Sequence, residues 1–486
     1  MIAAPAGASL APLAPALTLL IAASVALLVG TWTRDARNGG ALALIGLVAA
    51  AVFAALELAG ASAEPTRAFG LQWLGDAPAA ALSIAVLVGA FLAVLLGWDA
   101  LEPAGMDRPE YYPLLLLASA GALVMIHAGD FVVLVLGLEI LSLSVYALSA
   151  WRSGDHGSEE AGMKYFLLGA FASAILIYGV TLLYGATGDV AYAPIAAALQ
   201  DGVTPLALMG GVLVLAGLAF KVSFAPFHQW APDVYTGAPT PVTAFMSVVV
   251  KAAAFGALVR VFAGAWPGLM PELEVVLAAL VALTLIVGNF GALLQSGAKR
   301  MLAYSAVAHA GYLGLAVLAA GQDAIGPQAI AWYLLAYTFM NAGAFAVLLL
   351  VMNDDPRGDA IEAWNGLARR RPGLAIAMTL FLLSLAGIPP LAGFFGKFLA
   401  VQAGFEAGYA GVAVLALITA VVAVVYYLRL VWAMWLGSPA RSEIGRSTAA
   451  DWAIGLAAAG TVALGLFPSL WYGLVEGART VIAAGL

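Results

Sequence analysis

The chain of 486 residues is 64% hydrophobic, and only 10% of its residues are charged. About 25% of the residues of a soluble domain are charged, so this composition excludes an ordinary soluble fold. The net charge of −7 comes with no basic patch and no cysteine, which excludes a nucleic-acid surface and a thiolate-held iron–sulfur cluster.

Apolar runs follow one another along the whole sequence. Each is about 20 residues long, enough for a helix to cross a hydrocarbon core of about 30 Å. We therefore predict an all-α integral membrane protein with about 14 transmembrane helices. No basic residue precedes the first run, so we interpret it as a span and not as a cleaved signal peptide. The predicted spans are 10–30, 41–60, 79–98, 112–128, 130–150, 161–185, 205–235, 240–262, 272–294, 299–319, 328–351, 372–405, 409–436 and 450–473.

Two of these spans, 205–235 and 372–405, are too long for a simple helix and contain internal prolines. Proline removes a backbone donor, and broken helices at membrane depth are tolerated where protein or water satisfies the freed groups. Because the two lie five spans apart, they would cross the membrane in opposite directions. This spacing predicts two inverted five-helix repeats, each with a broken helix, which in transporters mark a site near mid-membrane.

The repeats predict four parts: a three-helix segment 1–111, a first repeat 112–262, a second repeat 263–436 and a C-terminal span in 437–486. Basic residues of the predicted loops collect on one side of the membrane. The opposite side holds only Arg67, Arg260 and Arg479. Because basic loops stay in the cytoplasm, both termini should lie on the non-cytoplasmic side.

Four of the five lysines interrupt apolar runs, namely Lys164, Lys221, Lys251 and Lys397. Only Lys299 lies where a solvated loop is expected. A lysine in hydrocarbon costs about 2.5–3.5 kcal/mol on insertion scales. Unlike arginine, a buried lysine can lose its proton near neutral pH. Repeated buried lysines therefore indicate a protein that moves protons or cations.

Glu139 is the most central carboxylate of any apolar run, and Ser142 follows it on the same helical face. Beside a lysine this glutamate would ionise and help to keep the lysine charged. It forms either a structural ion pair or a pair that is made and broken during transport. For Lys164 and Lys221 the alternative is an amine that snorkels to an interface. Long apolar stretches flank Lys251 on both sides, so we predict that it relays protons.

The four histidines show no metal-ligand spacing, so we expect no metal in this chain. His309 forms a polar stripe with Ser305 and Tyr312 at helical spacing, and the next span carries a similar stripe that includes Tyr337. Such stripes are either interhelical hydrogen bonds or the lining of a hydrated path.

Two further side chains lie beside the predicted helix breaks. His228 follows the first break, seven residues after Lys221, and is a candidate for proton transfer. Glu406 lies nine residues after Lys397, towards the predicted non-cytoplasmic surface. Lys397 and Glu406 together indicate an exit route.

Three stretches carry a resemblance to the antiporter-like subunits of respiratory NADH:quinone oxidoreductase, a family related to multisubunit sodium/proton antiporters and membrane-bound hydrogenases. They are FAPFHQWAPDVYTGAPTPVTAFMS (224–247), KRMLAYSAVAHAGY (299–312) and GIPPLAGFFGKF (387–398). Within that family the chain is most similar to the subunit N branch. Subunit M typically has a glutamate where this chain has Lys397, and subunit L continues into a long lateral helix.

The resemblance implies a role for each matching position. Glu139 would pair with Lys221, Lys164 would modulate that pair, Lys251 would be the central relay, and Lys397 would lead to the positive side. His309 matches a polar position of the tenth span. The resemblance also implies that this chain holds no cofactor, and that NAD, FMN, iron–sulfur clusters and quinone belong to partner subunits.

The expected partners are the other membrane subunits of the complex, including sister antiporter-like subunits, in a bacterial inner membrane. Two alternatives stay open from the sequence: a subunit of a cation/proton antiporter or hydrogenase complex, and a solitary secondary transporter. The solitary transporter is disfavoured because no cluster of charged residues forms a solute pocket.

Overall fold

The computed structural model describes residues 11–33, 35–61, 66–320, 325–353, 356–440 and 443–469. Two short strands, β1 (Thr66–Ala68) and β2 (Trp73–Gly75), form an antiparallel hairpin before the third span. The other regular elements are helices. In chain order they are α1 (Ala14–Thr33), α2 (Ala36–Ala59), α3 (Ala77–Trp98), α4 (Tyr111–His127), α5 (Phe131–Ser149), α6 (His156–Thr187), α7 (Tyr192–Gln200), α8 (Pro205–Val222), α9 (Trp230–Gly237), α10 (Thr240–Phe245), α11 (Lys251–Arg260), α12 (Met270–Leu293), α13 (Ala298–Ala320), α14 (Ile325–Met352), α15 (Leu367–Arg370), α16 (Pro372–Ala386), α17 (Ala392–Glu406), α18 (Ala410–Leu436) and α19 (Thr448–Leu466).

The prediction of an all-α membrane protein with about fourteen spans is confirmed. In the described part of the chain, 12 helices are long and apolar enough to cross a membrane. The shorter helix α4 and the broken pair α16–α17 supply the other two predicted spans. One of the long helices, Thr240–Ala265, joins α10 to α11 through a π-helical turn, Met246–Val250.

Both predicted helix breaks end in the same backbone motif. At the end of α8, Ser223 is left-handed (φ 66°), and Phe224 N–H donates to Ala219 O at 2.9 Å. At the end of α16, Gly387 is left-handed (φ 88°), and Ile388 N–H donates to Leu383 O at 3.0 Å. This six-to-one hydrogen bond is the Schellman cap, which satisfies helix carbonyls that have no water nearby.

The two five-helix units also repeat their packing partners. Helix α4 packs on α5 as α12 packs on α13, and α6 contacts both halves of its broken helix as α14 contacts both halves of the other. Glycines allow the close approaches, because a Cβ at Gly121 would overlap the α5 backbone and one at Gly288 would overlap the α13 backbone. The boundaries proposed for the four parts of the chain stay predictions.

The structure corrects the sequence analysis at three basic residues. Lys299 is only 3% exposed, although we expected a solvated loop. The side chain of Lys164 is 39% exposed, so it does not lie in an apolar interior. Arg260, counted with the loops, lies in the last turn of α11 and binds Asp76. A carboxylate partner allows an arginine to remain inside the bundle, which a count of loop charges cannot detect.

Gly393→Ala should disturb the second helix break. Gly393 N–H donates to Ser384 Oγ at 3.1 Å, and a Cβ at Gly393 would overlap the Ser384 carbonyl oxygen. We expect a loss of about 1–3 kcal/mol in the free energy of unfolding, the usual cost of overpacking. Thermal unfolding of the purified complex measures it. Gly455→Ala in α19 is the control, because its Cβ meets open space. Equal unfolding temperatures for the two variants would contradict the close contact at the break.

Candidate functional site

Lys221 lies in the last turn of α8, is 3% exposed, and its amine binds α5. Lys221 Nζ donates to Ser142 Oγ at 2.7 Å, and Ser142 in turn donates to Leu138 O at 2.5 Å. The amine also lies 5.3 Å from the ring centroid of Tyr146 and 5.2 Å from that of Tyr165. Aromatic faces stabilise a desolvated cation without fixing it to a carboxylate.

Glu139 does not form a direct ion pair with Lys221 in this structure. It lies one helical turn before Ser142 on α5, and its buried Oε1 has no hydrogen-bond partner within the described ranges. The acceptor closest to the lysine is therefore the serine hydroxyl, and the carboxylate acts on Lys221 across a gap. A buried polar atom without a partner indicates a place where water binds or where partners change.

Lys164 lies in a surface network on the predicted cytoplasmic side. Its amine contacts Glu160 at 2.6 Å and Asp233 at 2.9 Å, and Arg300 binds the other oxygen of Asp233 at 2.8 Å. Asp233 belongs to α9, so this network ties α6, the first broken helix and α13 together. Lys164 reaches no member of the buried path in this arrangement.

Lys251 is 3% exposed and directly follows the π-helical turn Met246–Val250. Its amine donates to the backbone oxygen of Ala306 on α13 at 2.6 Å. It also lies 6.0 Å from the ring centroid of Tyr337. Single π-turns widen a helix and recur at functional sites. The sequence indicated the central position of this lysine but not its backbone acceptor.

His309 connects α13 to two neighbouring helices through tyrosine hydroxyls. Its Nδ1 lies 2.7 Å from Tyr333 Oη, and its Nε2 lies 3.3 Å from Tyr427 Oη. Tyr427 Oη in turn lies 2.5 Å from Ser305 Oγ. These groups form a continuous chain of hydrogen bonds in which each member can donate and accept a proton. Tyr427 was missed by the sequence analysis, because nothing in an apolar span marks which distant residue it faces.

Lys397 is 7% exposed, and its amine lies beside the break between α16 and α17. Nζ donates to Ala386 O, at the C-terminal end of α16, at 3.1 Å and lies 4.7 Å from the ring centroid of Tyr312. The carbonyl end of a helix favours a positive charge. Gly387 makes room for this arrangement, because a Cβ there would lie 3.0 Å from Lys397 Cδ.

Several hydroxyl and amide groups between the lysines have no partner among the described residues. They are Tyr312 Oη, Tyr337 Oη and Asn341 Oδ1. All three side chains are buried, and the rings of Tyr312 and Tyr337 lie near His309. Since buried polar groups are normally satisfied, water molecules are the expected partners.

The two residues beside the breaks are less closely connected to this path. His228 follows the first break. Its Nδ1 is buried, and its ring lies 6.4 Å from that of Tyr304. Glu406 ends α17 and accepts a hydrogen bond from Gln402 at 2.8 Å, in an exposed position. No described contact joins Glu406 to Lys397.

Lys299 is a buried lysine that the sequence analysis placed in solvent. Its amine donates to Ala238 O at 2.7 Å and to Thr236 O at 3.1 Å, at the C-terminal end of α9. A cavity of about 480 Å³ reaches it from the predicted cytoplasmic face. Nearby, burial raises the pKa of the Asp359 carboxyl above its usual range, although Lys299 N–H donates to it. A basic residue at a helix start can be covered by segments about sixty residues away in the chain, which local composition does not reveal.

The sequence of this chain is similar to those of known membrane proteins. The family model described as NADH:quinone oxidoreductase/Mrp antiporter, TM, matches residues 128–423. NADH-quinone oxidoreductase subunit N of Deinococcus radiodurans is 43% identical over 478 residues, which cover 96% of each chain. The chain belongs to the subunit N family of NADH-quinone oxidoreductase.

Solved structures agree with membership in the subunit N family. A chain of respiratory complex I from Thermus thermophilus with bound aureothin is 40% identical, with a TM-score of 0.80 over 94% of this chain and 98% of that chain. A chain of the Mrp complex from Dietzia sp. DQ12-45-1b has a TM-score of 0.85 at 23% identity, covering 98% and 99%. The second likeness shows a shared fold alone.

Membership in the subunit N family makes this chain a membrane subunit of NADH:quinone oxidoreductase. The resemblance stated from the three sequence stretches is thereby confirmed. Within the described ranges, no group of three or more histidine, aspartate or glutamate side chains is arranged to hold a metal ion.

Proposed function

We propose that this subunit translocates protons through Lys221, Lys251, the His309 hydrogen-bond chain and Lys397, driven by redox chemistry in other subunits. Glu139 sets the charge state of Lys221 from a distance, and Lys164 adjusts Glu139 when its surface network opens. Tyr312 and Tyr337 hold water between Lys251 and Lys397. His228 and Glu406 are the proposed ends of the path, at the first break and at the exit.

One observation carries the proposal: Lys221, Lys251 and Lys397, the three lysines of the proposed path, are buried and bind neutral oxygens. The acceptors are a serine hydroxyl, a mid-helix carbonyl and a helix-end carbonyl. Among the described residues, none of the three amines forms an ion pair with a carboxylate. A neutral oxygen accepts a hydrogen bond from either an ammonium or an amine, so each lysine can change its charge without losing its partner.

The proton-transfer groups are arranged laterally through the bundle. Lys251 on α11 binds Ala306 of α13, the residue that follows Ser305 of the hydrogen-bond chain. Tyr333, at the other end of that chain, packs against Gly396, the neighbour of Lys397. Water molecules at the unpartnered hydroxyls would close the remaining gaps. Protons would thus pass between the two repeats in mid-membrane.

The subunit would work inside a larger assembly in the bacterial inner membrane. We propose that both termini lie on the non-cytoplasmic side. Because Arg260 is inside the bundle, fewer basic loop residues remain on that side, which supports this orientation. Sister antiporter-like subunits are the proposed neighbours. NAD, FMN, iron–sulfur clusters and quinone would be bound by partner subunits, since the chain has no cysteine to hold a cluster.

The two alternative functions are less well supported. The relative from D. radiodurans is named as a subunit of NADH-quinone oxidoreductase, whereas the likeness to the Mrp complex rests on 23% identity. A solitary transporter would remain active after purification alone. Proton pumping by the isolated chain in vesicles, without other subunits, would therefore contradict the proposal.

Ser142→Ala tests the first relay position. We expect proton pumping per NADH oxidised to fall about threefold to tenfold, the equivalent of losing one ordinary hydrogen bond of about 0.5–1.5 kcal/mol. Lys221→Ala should have a larger effect, because it removes the group that carries the proton. Inverted membrane vesicles containing the whole complex give both rates, from acidification of the lumen and from NADH absorbance.

Ser144→Ala is the matched control for Ser142→Ala. Both serines are buried on α5 and donate to the carbonyl four residues earlier, but only Ser142 binds a lysine. Ser144→Ala should pump as the unmodified complex does. Equal losses in the two variants would show that the effect comes from the helix and not from Lys221.

A further inference from the structure

A second buried polar cluster lies outside the lysine path, between α2, α3, α4 and α11. Glu57 of α2 is its unusual member, because its side chain is only 13% exposed and neither carboxylate oxygen has a hydrogen-bond partner in the part of the chain that the structure describes. Glu57 lies near the end of the predicted span 41–60, where a polar side chain would be expected to reach the membrane interface. A buried carboxylate without donors is a costly arrangement for a fixed negative charge.

The carboxyl group of Glu57 lies in a space that a glycine keeps open. A Cβ at Gly75 would lie 2.7 Å from Glu57 Oε1 and 2.5 Å from Thr66 Oγ1. A cavity of about 360 Å³ reaches this point, and Glu57, Thr66, Gly75 and Asp76 are among the residues that line it. The cavity is large enough for several water molecules, which need about 30 Å³ each. It adjoins the end of α2 that is predicted to face away from the cytoplasm.

His127, at the end of α4, lies beside this carboxyl group. Its Nδ1 lies 2.9 Å from Leu74 O and 3.8 Å from Glu57 Oε1, and its ring stacks on Trp73 at 4.7 Å. Because a carbonyl oxygen only accepts, Nδ1 carries the hydrogen. Nε2 therefore accepts from Ser83 Oγ, at 3.1 Å. The ring has one nitrogen towards the interior of the bundle and the other towards Glu57.

The charged side chains near Glu57 pair with each other. Arg260 binds both oxygens of Asp76, at 2.7 and 2.8 Å, and also donates to Ile126 O at 2.8 Å. Asp76 additionally caps α3 through Ala79 N–H at 2.9 Å. Arg67 on β1 is exposed. Among the described residues, His127 is thus the group that faces Glu57 and can exchange a proton with it.

We infer that Glu57 and His127 form a proton-exchange site that opens to the predicted non-cytoplasmic face, a site that rests on the proposed function but lies apart from its lysine path. A proton that arrives at Nε2 of His127 breaks its acceptor bond with Ser83. Once Glu57 has lost its own proton to water in the cavity, the Nδ1 proton passes to the Glu57 carboxylate and leaves the ring neutral with its hydrogen on Nε2. Rotation of the ring about its Cβ–Cγ bond restores the starting arrangement for the next proton.

A carbodiimide probe tests whether Glu57 is protonated and reachable. Dicyclohexylcarbodiimide attacks neutral carboxyl groups in apolar surroundings, so the intact complex is treated at neutral pH and the modified peptides are quantified by mass spectrometry. We expect Glu57 to react about tenfold faster than Glu102 and Glu406, whose carboxyl groups are exposed. Reaction of Glu57 at the rate of the two controls would overturn the inference.

Gly75→Ala provides a second readout on the same group. The added methyl group occupies the space against Glu57 Oε1, so the rate of carbodiimide modification should change about threefold or more in either direction. Gly455→Ala is the control, because its Cβ meets open space far along the chain. An unchanged rate of carbodiimide modification in Gly75→Ala would show that the Glu57 carboxyl group does not lie against Gly75.

Proton release is tested in inverted vesicles, whose lumen corresponds to the non-cytoplasmic side. With the lumen buffered at acidic, neutral and alkaline pH, Glu57→Gln should lower the protons pumped per NADH about twofold and remove their dependence on lumenal pH. Glu57→Asp should restore part of that dependence, which a purely structural role would not require. A profile in Glu57→Gln equal to that of the unmodified complex would overturn release through this site.

The tests of the Glu57–His127 site and of the lysine path can fail independently of each other. Loss of pumping in Lys251→Ala together with a normal profile in Glu57→Gln would reject the exchange site and leave the proposed function intact. Normal pumping in Lys251→Ala together with fast modification of Glu57 would reject the lysine path and leave the carboxyl site in place.

Discussion

Lys251→Ala should lower proton pumping about a hundredfold, the scale of losing a positioned proton-transfer group. The amine is buried and reaches from α11 to Ala306 O of α13 at 2.6 Å, and alanine has no group at this place that can carry a proton. NADH oxidation should fall as well if electron transfer and pumping are tightly coupled. Inverted vesicles with the whole complex report both rates, and the amount of assembled complex must be measured beside them.

Two further variants distinguish a relay from a fixed charge. Lys251→Arg keeps a positive charge but cannot release a proton at physiological pH, so it should pump as poorly as Lys251→Ala. Val250→Ala is the matched control, since Val250 is a buried neighbour without a polar group. Wild-type pumping in Lys251→Arg would mean that Lys251 acts only through its charge.

Asp76→Asn should destabilise the protein by about 3–5 kcal/mol, because it leaves Arg260 as an unpaired charge in the bundle. Asparagine is a good helix cap, so the contact with Ala79 N–H is retained and the charge is the main change. The expected signs are a lower unfolding temperature of the purified complex and less assembled complex in the membrane.

The Asp76 prediction has a rescue and a surface control. Asp76→Asn combined with Arg260→Met removes both charges, so it should recover most of the lost stability. Arg37→Met breaks the exposed pair with Glu102, which is worth about 0–1 kcal/mol. A double variant as unstable as Asp76→Asn alone would show that the ion pair is not the source of the stability.

Sequence reasoning predicted those features that depend on long patterns. The fourteen spans follow from apolar length, and both helix breaks follow from prolines in runs too long for one helix. Lys251 and Lys397 are buried as predicted, because no short route to an interface is open to either amine.

The contacts of the site could not be predicted, because each one joins residues far apart in the chain. Lys221 binds Ser142 and not Glu139, and this choice depends on how α8 is rotated against α5. Tyr427 joins His309 across more than a hundred residues. Lys164 was expected in an apolar run but is partly exposed, and Lys299 was expected in a solvated loop but is buried. Burial at a helix end depends on which distant segment folds over it.

The acceptors of the buried amines limit what mutagenesis can reveal. Lys251 and Lys397 both bind backbone carbonyls of alanines, Ala306 and Ala386, so replacing either side chain leaves the acceptor in place. An alanine scan would pass over both positions without a signal. Replacing the peptide bond that contributes each carbonyl with an ester, which weakens that oxygen as an acceptor, is the perturbation that reaches them. Two of the three oxygens that accept from Lys221, Lys251 and Lys397 therefore belong to the main chain, where a side-chain substitution cannot remove them.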